Sequence, residues 1–221
     1  MAIIIDDWGN FYRKEIEEFF EIPAPITFAI LPQLTFSRQI AEEAHKKNFE
    51  IMLHFPMEAH NKDTKEEKPG PGAIYSSMSR NEIKIILEEN LKSIPYVRGI
   101  NNHMGSRITE DKNIMIVLLT LLKEKNMYYI DSLVTNKSLC METGEEIGIK
   151  VDKRDVFLDN IDDPIYIKNQ IMELASISLK RGTAIGIGHV EKKHTAKVIK
   201  EMLPYLKKNG IEIVSVSKIL N

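Results

Sequence analysis

A single cysteine, Cys140, in 221 residues excludes an internal disulfide framework and any thiolate metal cluster. Net charge is also nearly missing, with 30 basic against 32 acidic side chains leaving a formal −2. That balance gives no electrostatic case for nucleic acid or for an anionic membrane surface. No apolar run approaches the roughly 20 residues that span a bilayer. Aromatic residues make up 7% and there is one tryptophan, Trp8. The 43% hydrophobic share is ordinary for a globular protein, and the length suffices for one core, so residues 1–221 read as a single domain. The first apolar run begins at Ala2, with no space for a leader. A cytoplasmic location is expected, or an extracellular or envelope one if an export segment has been removed.

Short apolar runs alternate with helical spacing along the whole chain. The runs are Ala2–Ile5, Ile26–Leu31, Glu50–Phe55, Val97–Asn102, Met127–Ile130, Asp155–Leu158, Ala184–Gly188 and Ile211–Val216. Between them Ile83, Ile86, Leu87 and Leu91 show a helical stripe, opened by a capping box at Ser79 and Glu82. Thr109, followed by Glu110 and Asp111, is expected to open the next helix, and Asp163-Pro164 a further one. Helix exits place lysine or arginine before Asn48, Asn126, Gly182 or the Asn209-Gly210 pair, residues that tolerate the left-handed conformation ending a helix. Strict βα alternation with short returns predicts parallel strands with right-handed crossovers. The expected fold is α/β, a TIM-barrel-like (β/α) barrel of seven or eight parallel strands. One stretch breaks the rhythm: residues 58–79 are polar around Pro69-Gly70-Pro71-Gly72, and should overhang the rim as a binding-site wall or a surface insertion.

Chemistry collects at the strand ends. Strand one closes on Asp6-Asp7, three on His54, four on His103, five on Asp131, six on Asp159 and seven on His189. In a barrel these ends share one mouth. One histidine at a strand end is more often structural, but three converging on paired aspartates point to a metal centre. Adjacent carboxylates suit a metal ligand beside a general base. Oxygen and imidazole donors without thiolate favour Zn²⁺, with Fe²⁺, Mn²⁺ or Co²⁺ as alternatives. Asp131, Asp155 and Asp159 can each orient an imidazole or serve a turn; Asp131 is placed with the catalytic groups. Trp8 and Tyr75 either stack on sugar rings or pack in the core.

The motifs Ile3-Ile-Ile-Asp6-Asp7-Trp8-Gly9, Met52-Leu-His54-Phe-Pro-Met-Glu58, Pro69-Gly-Pro-Gly-Ala-Ile-Tyr75, Gly99-Ile-Asn-Asn-His103-Met-Gly-Ser106, Arg154-Asp-Val-Phe-Leu-Asp-Asn160 and Gly186-Ile-Gly-His189 occur in order from about residue 2 to 219. Together they resemble the divergent branch of the polysaccharide deacetylases, relatives of the NodB-homology enzymes. The resemblance implies a metal-dependent hydrolase that removes acetyl groups from an amino sugar or glycan. It makes Asp6 the general base, Asp7 and His54 metal ligands, and His189 the general acid. The chain departs from the main family twice: Glu58 stands where a second histidine follows the first, and Asn101-Asn102-His103-Met104-Gly105 replaces an arginine–proline motif. His103 is the favoured third ligand, with Glu58 its rival, and Arg107 or Arg154 is left to partner Asp6. The departures also admit a catalytically silent glycan-binding or envelope-associated barrel, or a hydrolase of another amide or ester.

Overall fold

The computed structural model describes residues 1–60 and 68–220, apart from the side chains of residues 14 and 15. Eight parallel strands form one curled sheet in the order β6-β5-β4-β3-β2-β1-β8-β7. They are β1 (Ala2–Trp8), β2 (Thr27–Ile30), β3 (Glu50–Met57), β4 (Val97–Met104), β5 (Tyr128–Asp131), β6 (Val151–Lys153), β7 (Val156–Phe157) and β8 (Ile185–His189). The helices are α1 (Lys14–Phe20), α2 (Ser37–Lys46), α3 (Arg80–Ser93), α4 (Ser106–Thr109), α5 (Lys112–Glu124), α6 (Cys140–Ile147), α7 (Pro164–Arg181) and α8 (Thr195–Lys208). The two edge strands are neighbours in sequence, so the chain itself bridges the seam. Arg154 N–H donates to Asp131 O on one side, and Asp155 N–H donates to Ile185 O on the other. Residues 151–157 thus work as one bent strand shared between the sheet's two ends.

Alternation along the strands divides the apolar residues into two sets. Ile3, Ile5, Phe28, Leu53, Phe55 and Tyr129 face the helices in the larger cluster. Ala2, Ile4, Ala29, Met52, Tyr128, Ile130, Ile185 and Ile187 fill the barrel interior. Trp8 is fully buried in the outer layer, stacked on Phe28 with ring centroids 4.3 Å apart and donating its indole N–H to Ile5 O. It is a core residue and no sugar platform. Helix ends follow the sequence closely. Ser79 and Glu82 form the expected capping box, and Asp163 caps α7 just ahead of Pro164. Asn48 and Asn126 adopt positive φ at 63° and 53°, as their exits require.

Two expectations are corrected. Ile211–Val216 forms no strand: after α8 it crosses beneath the barrel, tied by Val214 N–H to Met1 O and by the Met1 amino group to Glu212 O. A 3₁₀ turn follows at Val216–Lys218, and Val216, Ile219 and Leu220 close the lower end of the interior cluster. The eighth strand is instead β6, three residues long and only partly buried. Thr109 does not open a helix, because it ends α4 with its hydroxyl donated to Gly105 O; Asp111 caps α5 by accepting from Asn113 and Ile114 N–H.

Candidate metal centre

The interior alternation that begins with hydrocarbon ends in polar groups at the upper rim. Ile4 is followed on the same face by Asp6, Met52 by His54, Gly99 by Asn101 and His103, Ile130 by Ser132, and Ile187 by His189. Asp7 joins them by breaking the pattern. Its φ of 66° is left-handed, a conformation aspartate tolerates better than most residues. Four residues of β1, from Ile5 to Trp8, there oppose three of β2, from Phe28 to Ile30. This bulge lets two consecutive carboxylates enter one mouth, which regular pleating forbids.

Asp7, His54 and His103 meet at a point. Asp7 Oδ1 lies 3.2 Å from His54 Nε2 and 3.0 Å from His103 Nδ1, and the two ring nitrogens are 3.1 Å apart. Zinc ligands at about 2.0–2.1 Å in a tetrahedron stand about 3.3–3.4 Å from one another, so the triangle matches one face of such a shell. Asp7 Oδ1 is buried and has no hydrogen-bond partner, an orphan that a cation would satisfy. These residues fit a divalent metal, and Asp7 and His103 also line the cleft at the mouth. The electrostatics agree. Burial opposes ionisation of Asp7, yet contacts with His103 and His54 hold its carboxyl well below the usual range. Burial likewise disfavours the His54 cation, but Asp6 and then Asp7 outweigh it and raise the imidazole's proton affinity. Both shifts say that the point between the three atoms attracts positive charge.

Around the triangle stand the other groups. Asp6 is 2% exposed; burial pushes its carboxyl upward against the pull of His54 and His189. Its Oδ1 accepts from Asn101 Nδ2 at 2.8 Å and its Oδ2 lies 3.7 Å from His54 Nε2. His189, opposite Asp6 across the β1–β8 pair, donates Nδ1–H to Asp159 Oδ1 at 2.7 Å. Asp159 Oδ2 is held by His189 N–H and the Thr195 hydroxyl, each at 2.7 Å. Gly188 makes room for this, since a Cβ there would stand 3.1 Å from Asp159 Oδ2 and 3.0 Å from Thr195 Cγ2. Burial alone would depress the His189 imidazole, but the hydrogen bond and charge of Asp159 raise it to about 9.

The sequence-level assignments sort cleanly. Asp6, Asp7, His54, His103 and His189 are brought together; Asp131 is not. On β5 it lies one residue beyond Ile130 and so faces outward, accepting from Leu133 N–H beside buried Cys140. Strand parity sets it apart from the side chains that meet at the mouth, and Asp159 is the carboxylate that holds His189. Glu58 is turned away as well: Oε2 accepts from Ser76 N–H at 2.6 Å and Oε1 faces Arg107 at 3.6 Å. Arg107 is thereby spoken for. Arg154 sits within electrostatic influence of Asp6 while donating to Ser132 O and Leu133 O. Asn101, which no motif reading singled out, supplies Asp6's hydrogen bond. Its only trace in the sequence is an amide next to Asn102 and His103, following the apolar Ile100 in β4. The overhanging segment is a wall: Pro69, Gly70 and Pro71 line a cleft of about 330 Å³ with Asp7, His103 and Phe11. Its portion 61–67 lies outside the described residues.

The family of divergent polysaccharide deacetylases matches residues 3–220 of this chain. The uncharacterized protein YibQ of Escherichia coli K12 is 32% identical over 222 residues, spanning all of this chain and 67% of that protein. The chain therefore spans about two thirds of this relative. Among solved structures, an uncharacterized protein from Agrobacterium tumefaciens aligns with a TM-score of 0.91 and 20% identity, over 99% of this chain and 87% of that one. The catalytic domain of a peptidoglycan N-acetylglucosamine deacetylase from Eubacterium rectale aligns with a TM-score of 0.58 and 13% identity, over 97% and 87%. At these identities the structural likeness speaks for the fold.

Proposed function

The chain belongs to the divergent polysaccharide deacetylase family, and from that premise we propose that it is a metal-dependent hydrolase releasing acetyl groups from an amino sugar or related glycan. The observation that carries the proposal is the Asp7–His54–His103 triangle, flanked by a buried carboxylate on one side and a carboxylate-held imidazole on the other. Asp7, His54 and His103 would hold a divalent cation, most simply zinc. When bound, it supplies Lewis acidity, polarising an acyl oxygen and acidifying water. Asp6, with Oδ1 tied to Asn101, keeps Oδ2 to take the proton of the water that attacks the acetyl carbon. His189 is kept protonated by Asp159, and its Nε2 side can return a proton to the departing amine as the C–N bond breaks. The wall at Pro69–Pro71 bounds one side of the cleft and limits how a sugar ring can lie over the triangle.

A second reading, a silent glycan-binding barrel, is favoured by one observation: Asp6 is partnered by the amide of Asn101, where the main family is expected to use arginine. One experiment separates the two. The protein is stripped with chelator, reloaded with zinc and assayed for acetate release from N- and O-acetylated oligosaccharides. Zinc-dependent release is the expected result. Tight zinc binding without release from any glycan would support the silent barrel, and no metal binding would overturn both the site and the activity.

A further inference from the structure

Asn101 makes more contacts at the centre than any ligand needs, and their directions are fixed. The Ser132 hydroxyl donates its proton to Asn102 O at 2.8 Å, so toward Asn101 it can only accept. Asp6 Oδ1, a carboxylate oxygen, also only accepts. Both hydrogens of Asn101 Nδ2 are therefore spent, on Asp6 at 2.8 Å and on Ser132 at 3.4 Å. Turning the amide over would set its oxygen against a carboxylate and against a hydroxyl oxygen whose proton is already placed. Asn101 Oδ1 must then face His54 Nδ1, 2.8 Å away, and it must accept. His54 consequently carries hydrogen on Nδ1, and its Nε2 lone pair is left for the point shared with Asp7 and His103.

We propose that Asn101 is a positioning residue that couples the general base to the metal ligand: one carboxamide fixes the tautomer of His54 and, through its other end, the orientation of Asp6. The arrangement does the orienting without adding charge, where an arginine would place a cation beside a cation site. The proposal rests on the metal-dependent reading above and deepens it. Ser132 acts one step further out, because its committed hydroxyl joins the Asp6 carboxylate in opposing a flip of the amide.

The test reads zinc affinity by chelator competition and, by ¹⁵N-detected NMR of histidine-labelled protein, the protected Nδ1–H proton of His54. Asn101→Ala is expected to weaken zinc binding about 10–100-fold and to abolish the protected signal. Asn101→Asp keeps an oxygen for Nδ1–H, so affinity returns to within about threefold of the parent while acetate release stays lost, because Asp6 now faces a second carboxyl group. Ser132→Ala loosens the amide and gives a smaller loss of affinity with a broadened signal, which keeps the proposal testable if Asn101→Ala fails to fold. Parent-like affinity and an intact Nδ1–H signal in Asn101→Ala, or in Ser132→Ala if only that folds, would overturn the coupling. A parent protein that binds no zinc would instead sink the metal-dependent reading, with the NMR signal still deciding what Asn101 does.

Discussion

The two sides of the mouth hold the same residue type in the same orientation and give it opposite tasks. His54 and His189 each commit Nδ1 to an oxygen at 2.7–2.8 Å. On the His54 side that oxygen belongs to the neutral amide of Asn101, and on the His189 side to the buried carboxylate of Asp159. An amide selects a tautomer and leaves the ring neutral when a cation is near. A carboxylate adds a full negative charge and holds the ring protonated, to about pH 9 for His189. Imidazole chemistry at this rim is thus set by the atom behind the ring, more than by the ring itself.

That contrast can be broken at several points. The largest expected effect comes from Asp6→Asn, which should cost about 10²–10⁴-fold in turnover while zinc stays bound, read by acetate release beside metal analysis. Removing His103 should weaken zinc binding beyond the roughly 10–100-fold typical of losing an outer partner. Glu58→Ala should leave it nearly untouched, because that carboxylate is occupied with Ser76. On the acid side, Asp159→Asn should bring the alkaline limb of the rate profile down from about pH 9 toward the ordinary histidine value near 6.5. At pH 8 this means a loss of about tenfold or more. The sign for stability follows from the raised proton affinity in the fold. His189 contributes stability that is fully present below about pH 6.5 and is lost as pH climbs through about 9. Asp159→Asn should flatten that slope in thermal melts across the same range. The smallest effect belongs to Asp131→Asn, expected to change turnover less than about twofold, since this carboxyl faces the helices. A large loss there would contradict the assignment of Asp159 as the orienting acid.

Much of this architecture is legible without coordinates. Seven of the eight apolar runs correspond to strands, because βα alternation and αL-tolerant exits such as Asn48 and Asn126 leave little freedom of connection. The eighth run misleads for a physical reason: Ile211 and Ile213 are buried as a strand's would be, yet they pack in the helix-facing layer, and only Val216 turns under the barrel. Apolar content reports burial and is silent on hydrogen-bond partners. The true seam strand, Val151–Lys153, is too short and polar to register. At the site, the side chains that meet at the mouth are legible from histidines and aspartates closing apolar runs. Parity is not, because Tyr128, Tyr129 and Ile130 are apolar on both faces and hide which way Asp131 points. Asn101 escapes for another reason. An amide carries no titratable signature, and only its three simultaneous contacts reveal its work.

The plug formed by Val216, Ile219 and Leu220 has a consequence for traffic. Among the described residues the underside is stoppered, so the triangle is approached from the upper rim, where Asp7 and His103 line the cleft. A long polymer would therefore be laid across the opening like a rope over a basin, presenting interior links as readily as its ends.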